Sequence, residues 1–137
     1  MLVEGQGDIA KQVREITGGA GVPVVYDGVG AATFEASLSS LARRGMLISF
    51  GNASGPAPPV EPLRLSRGGS LFFTRPTMFD YVSTTVELDE SAGALFAVMA
   101  SGAVKVPVGQ TFPLADARAA HEALEARKTV GASLLIP

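Results

Sequence analysis

Three short apolar runs constrain this chain more than any other feature: Pro23-Val24-Val25-Tyr26-Asp27, Met46-Leu47-Ile48-Ser49-Phe50 and Ser70-Leu71-Phe72-Phe73-Thr74. Each is too short for a stable helix, and each closes on a turn: Gly28-Val29-Gly30, Gly51 or Arg75-Pro76. Such runs fit parallel strands covered on both faces. Parallel strands need crossovers, and helix-period stretches stand between these runs. The chain therefore predicts an α/β layered fold with a mainly parallel sheet.

The helical stretches carry their own signals. Asp8 can cap a helix whose apolar face is Ile9, Val13 and Ile16, stopped by Gly18-Gly19. The helix opened by Gly28-Val29-Gly30 is expected to carry Phe34, Leu38 and Leu41 and to end at Arg43-Arg44-Gly45. Residues 52–69 hold Pro56, Pro58, Pro59 and Pro62 and read as a loop with one helical turn near Pro62–Leu65. Thr84 and Glu87 have capping-box spacing, and the helix they start is predicted to bury Leu88, Ala92, Leu95, Phe96 and Met99 before Gly102 ends it. Val104, Val106, Val108, Gln110 and Phe112 share one phase of an extended segment. A last helix, about Ala115 to Arg127, aligns Ala117, Ala120 and Leu124, and Leu134–Ile136 supplies a terminal strand. The expected order is α-β-α-β-loop-β-α-β-α-β. A doubly wound half normally opens with a strand and a glycine-rich turn, so a chain opening with a helix reads as cut.

Composition removes several classes of function. A net charge of −2 offers no basic field for nucleic acid and no anchor for an acidic membrane surface. With no cysteine, the 137 residues contain no disulfide, thiolate zinc site or cysteine nucleophile. No apolar run approaches the roughly 18 residues needed to span a bilayer. The expectation is a soluble cytoplasmic protein.

Two glycine clusters imitate a dinucleotide fingerprint. Gly19-Ala20-Gly21 lies between a helix and a strand, where a stop and a turn explain it. Gly28-Val29-Gly30-Ala31-Ala32-Thr33 does follow a strand and open a helix, but threonine stands in its third position. No acid ends the next strand to read a ribose hydroxyl, since Phe50 and Gly51 are there. This favours a strand-end turn lining a cleft over a pyrophosphate loop. His121, the single histidine, sits inside the last helix, and Glu87, Asp89 and Glu90 suit a helix start. No catalytic residue and no metal ligand set emerges. Arg75 and Arg127 are candidate phosphate contacts, with a surface ion pair as the alternative for each.

Taken in order, Val25–Gly30, Leu41–Gly45, Ser49–Gly55, Thr74-Arg75-Pro76, Ala100-Ser101-Gly102, Phe112-Pro113-Leu114, Ala120–Glu125 and Leu134–Pro137 resemble zinc-independent quinone oxidoreductases of the ζ-crystallin type. These belong to the medium-chain dehydrogenase/reductase superfamily. The resemblance implies the second half of a Rossmann-like doubly wound sheet over residues 1–103. It also implies a tail, 104–137, that returns to a GroES-like domain not contained in this sequence. It implies metal-free hydride transfer from NADPH to a quinone, with Gly28, Val29, Phe50, Gly51, Asn52, Ala53, Arg75, Pro76, Thr77 and Arg127 near the cofactor. A homodimer through the strand at 70–74 is implied as well. The phosphate-binding turn is not among these residues, so the isolated chain is expected to lack activity. The competing reading is a non-catalytic dimerisation module or truncated product. Another α/β enzyme, such as a methyltransferase, is disfavoured by the ordered matches.

Overall fold

Asp8 opens the first helix, α1 (Ile9–Ile16), by accepting a hydrogen bond from the Lys11 amide at 3.1 Å. The computed structural model describes residues 7–137, divided into a unit that ends at Tyr81 and a second unit, Val82–Pro137. After the stop at Gly18-Gly19, the first unit continues with β1 (Val22–Asp27), α2 (Phe34–Ser39), β2 (Leu41–Ser49), α3 (Pro62–Arg67), β3 (Phe72–Thr74) and α4 (Met78–Tyr81). The strands form one sheet in the order β1-β2-β3, and both pairings are parallel. Val25 pairs with Leu47 and Leu47 with Phe73, so these three side chains share one face.

That face carries the core. Phe34 and Leu38 of α2 pack with Leu41, Leu47 and Leu71, and Val25, Val60, Leu65 and Phe73 close around them. The Phe34 and Phe73 rings meet edge to face at 6.1 Å between centroids, and the Arg64 guanidinium lies 5.4 Å over Phe34 while pairing with Glu35. The opposite face is open, contrary to the expectation of strands covered on both sides. Tyr26 is 71% exposed and Phe72 is 53% exposed, with Val24 and Met46 also at the surface. An apolar run reveals that a strand has two apolar faces; it does not supply the layer that covers the second one.

The helix expected to reach Arg43–Gly45 is shorter. Leu41 does join Phe34 and Leu38 in the core, but from the first position of β2. Helical spacing and strand placement bring Leu41 to the same cluster, so periodicity alone extended the helix too far. The strand then bulges. Val22 pairs with Leu41, but Val24 pairs with Met46, and Arg44 in the looped-out segment adopts φ 62°. Its amide donates to the Gly69 carbonyl at 2.8 Å, which ties the bulge to the turn before β3.

Arg14, at the end of α1, fastens that helix to the sheet. Its half-buried guanidinium donates to the carbonyls of Gly19, Ser39 and Leu41. Ile9 and Val13 face β1 and α2, whereas Ile16 points outward and is not part of the expected apolar face.

The second unit contains α5 (Thr85–Ala100), β4 (Val108–Pro113), a 3₁₀ turn (Leu114–Asp116), α6 (Ala117–Glu125) and β5 (Ala132–Ile136). The Thr84/Glu87 capping box is present in both directions. β4 and β5 pair in parallel, Phe112 opposite Leu135, with α6 as the crossover and Ala120 buried beneath it. Val104 and Val106 precede the strand that their phase suggested. The burial predicted for α5 does not occur: Phe96 is 64% exposed, and Leu88, Leu95 and Met99 are exposed too. Beyond the polar first turns with Glu87, Asp89, Glu90 and Ser91, residues 92–100 are apolar all round, the pattern of a helix segment suited to burial. No described helix is long and apolar enough to cross a membrane.

Replacing Arg14 by Met keeps the apolar stem but removes every donor to the three carbonyls. Chemical denaturation is expected to show a loss of about 1–3 kcal/mol, the range for leaving partly buried acceptors unmatched. An unchanged midpoint would mean that water replaces the guanidinium at no cost.

Candidate functional site

The carboxyl ends of parallel strands are where ligands approach such a sheet. Here β1, β2 and β3 release the segments 28–33, 50–55 and 75–77 on the same edge. The first two segments are laced together. The Phe50 amide donates to the Asp27 carbonyl at 2.9 Å, Ser54 N to Val29 O at 2.8 Å, and Ala31 N to Gly55 O at 3.0 Å. Ser54 Oγ adds two more links, donating to Val29 O and accepting from the Ala32 amide.

Gly51 is required by this lacing. A Cβ there would lie 2.1 Å from the Gly28 carbonyl oxygen and 2.7 Å from the Gly28 Cα. The bare backbone at Gly51 is thus filled by Gly28, a neighbour in space. Gly28 in turn sits beneath the Phe50 ring, 3.0 Å from where its own Cβ would be.

Two clefts flank Arg75. One, about 460 Å³, is lined by Ser49, Asn52, Pro56, Pro59 and Phe73 together with Arg75. The other, about 680 Å³, lies towards the open sheet face between Tyr26, Ile48, Phe50, Pro76 and Met78, again with Arg75. The Arg75 side chain donates through Nη1 to the Ser49 carbonyl at 2.6 Å, which fixes it as the wall between them. Among the expected cofactor residues, Asn52 and Arg75 meet in the first cleft. Phe50, Arg75, Pro76 and Thr77 meet in the second. Gly28, Val29, Gly51 and Ala53 shape the loops without lining either cleft. Arg127 belongs to the second unit, where it follows α6 with φ 55°. Its guanidinium has no hydrogen-bond or ion-pair partner among the described residues. The helical turn α4, which contributes Met78 and Tyr81 to the second cleft, had no periodicity in four residues by which to be foreseen.

The residue that sequence reasoning missed is Asp27. It is 4% exposed, and its carboxylate accepts from the amides of Val29 and Gly30 at 2.9 and 3.0 Å. The hydroxyls of Thr33 and Ser37 donate to it at 2.8 and 2.7 Å. Burial pushes its pKa up, but these hydrogen bonds, from Gly30 first, outweigh burial and hold it below the ordinary carboxylate value. Thr33, which spoiled the glycine fingerprint, is there to bond Asp27. The polar end of an otherwise apolar strand was the available signal.

Residues 3–134 match the model of a family described as zinc-binding dehydrogenase. A quinone oxidoreductase of Salmonella typhimurium is 53% identical over 131 residues, which cover 94% of this chain and 40% of the relative. The structure of the Escherichia coli quinone oxidoreductase complexed with NADPH superposes with TM-score 0.87 at 49% identity, covering 96% of this chain and 41% of that one. A 2-haloacrylate reductase structure gives TM-score 0.86 at 44% identity, covering 96% and 41%. The chain thus spans about two fifths of the length of these relatives. Zinc finds no matching donor set here: cysteine is absent, and no three His, Asp or Glu side chains converge among the described residues.

Gly51→Val should therefore act on stability, lowering it by roughly 1–3 kcal/mol or more because backbone must move. Thermal unfolding checks this; a Gly51→Val variant as stable as the parent would remove Gly51 from the lacing. With strand-end loops laced over a parallel sheet and a family model matching nearly its whole length, the chain belongs to the zinc-binding dehydrogenase family.

Proposed function

We propose that this chain forms part of an NADPH-dependent quinone reductase, supplying the nicotinamide-facing side of the cofactor cleft. The observation that carries the reading is the pair of laced loops, 28–33 and 50–55, beside clefts walled by Arg75. Bound NADPH would supply a hydride from its nicotinamide ring. The chain's own residues would do the holding. Gly28, Val29, Gly51 and Ala53 set the loop surface, Asn52 offers an amide to a polar edge, and Phe50, Pro76 and Thr77 exclude water beside the ring. Arg75, whose Nη1 is engaged by Ser49, has donors left for a phosphate or carboxamide. Arg127 is the second candidate for an anionic group, on the strength of its unpartnered guanidinium. The functional boundary is proposed at 103/104, with 104–137 as the returning tail, and the setting as the cytoplasm.

This reading predicts weak NADPH binding and turnover below about 1 per second with a simple benzoquinone, at the slow limit of ordinary enzymes. The turn after β1 offers no free amides to a pyrophosphate, since those of Val29 and Gly30 are engaged by Asp27. Amide shifts at residues 50–53, Arg75 and Thr77 on adding NADPH would support the reading. Their absence would favour the alternative, a non-catalytic dimerisation module.

Self-association is proposed in either case, as a homodimer through β3. This strand is an edge of its sheet, its outer backbone groups are unpaired within the sheet, and Phe72 lies exposed on it. Sedimentation equilibrium at tens of micromolar is expected to show a dimer that Phe72→Lys weakens by tenfold or more. A parent monomer would end the proposal, and an undisturbed dimer in a folded variant would move the interface off β3.

A further inference from the structure

Like charges repel, so a fold that sets several cations around one cleft loses stability there unless an anion joins them. Such a cleft, about 410 Å³, lies between the last turns of α2 and α3, where the chain enters β2 and β3. Arg14, Arg64 and Arg67 line it, with Leu38 and Leu71 as its apolar part. It stands at the amino ends of the strands, whereas the laced loops leave their carboxyl ends. No carboxylate among the described residues lines it. Glu35 pairs with Arg64 outside the lining, and Glu15, beside Arg14 in the chain, is exposed and does not line it either.

The three arginines are held in different ways. Arg14 is fixed by the carbonyls of Gly19, Ser39 and Leu41, which orient its charge without neutralising it. The Ser39 carbonyl at the end of α2, which would otherwise repel an anion, is covered by the same bonds. The last carbonyls of α3 are covered too: Arg64 O accepts from the Gly68 amide at 2.9 Å, and Ser66 O from Gly69 and Ser70 at 3.1 and 3.2 Å. Arg64 is held by Glu35 and over the Phe34 ring, and each of its Nη atoms keeps one N–H after pairing. Arg67 is exposed, and its guanidinium has no hydrogen-bond or ion-pair partner among the described residues. Arg43 lies beside Gly69, to whose carbonyl the Arg44 amide bonds. Five of the eleven basic residues thus gather at this end of a chain whose net charge is −2.

We propose that this cleft binds a phosphate monoester of a small organic molecule, at a site separate from the strand-end clefts. Arg14 and Arg67 carry two positive charges that no acid meets, and a phosphate monoester carries about −1.5 to −2 at neutral pH. Guanidinium forks bind phosphate oxygens in pairs, and two of the three are already fixed by the fold. Leu38 and Leu71 give the organic part of the ester an apolar wall. The volume falls within the range of small-molecule sites. None of this depends on the NADPH reading.

The test titrates the 137-residue chain with butyl phosphate and with inorganic phosphate, ionic strength being held constant with sodium chloride, and follows it by NMR. The Gly68 and Gly69 amides and the Leu38 and Leu71 methyls should shift saturably with butyl phosphate, half-saturating at roughly 10 mM or below. Inorganic phosphate should bind several-fold more weakly, because it leaves the leucines uncovered. Sodium chloride alone should give no saturable shift at these residues. Arg67→Gln removes an unpartnered charge and no contact, so it should stay folded while butyl phosphate affinity falls about tenfold or more. Lys105→Gln, which removes one charge from the second unit, should leave the affinity within about twofold. Equal shifts with sodium chloride, unchanged affinity in Arg67→Gln or an equal loss in Lys105→Gln would overturn the proposal. Inorganic phosphate binding as tightly as butyl phosphate would overturn the ester and make free phosphate the ligand.

Discussion

A carboxylate buried at the end of a strand is costly unless every lone pair is met, and the site end of this sheet is organised around meeting them. Asp27 draws in Val29, Gly30, Thr33 and Ser37, which fixes where α2 begins relative to β1. Its backbone oxygen fixes the exit of β2 through Phe50 and Gly51. The close approach of Gly51 to Gly28 is possible because Gly51 lacks a side chain, while Gly28 leaves room for the Phe50 ring. Loop shape, cleft position and the start of the second helix are therefore consequences of one polar residue in an apolar run.

The apolar balance of the chain runs the other way. One sheet face is packed against α2 and the segment around α3, and the other presents Val24, Tyr26, Met46 and Phe72. In the second unit, α5 is apolar on every side beyond Ser91 yet mostly exposed. Extended apolar patches of this kind mark surfaces that contact other protein.

Much was legible in the residues themselves. The parallel strands, the Asp8 and Thr84 caps, the proline loop with its helical turn and the terminal strand all follow from local chemistry, because caps, turns and short apolar runs act over a few residues. The sites of failure were non-local. Leu41 fits a helix by spacing and a strand by placement, and only its parallel pairing with Val22 decides. The bulge at Arg44 depends on a carbonyl from Gly69, twenty-five positions away in the chain. Arg75 read as a phosphate contact or one half of a surface ion pair, and the fold gives its Nη1 the Ser49 carbonyl instead.

By itself, then, the sequence determined the class of fold, the order of its elements and the edge of the sheet where a ligand would approach. Those properties rest on hydrophobic periodicity and turn chemistry, which neighbours in the chain set. Tertiary structure alone decided what the strand-end groups are for. Gly51 became a packing glycine, Thr33 a carboxylate partner, and the amides of Val29 and Gly30 became engaged rather than available. The physical reason is that a hydrogen bond or a steric contact has two ends, and for these residues the second end becomes visible only when the chain has folded.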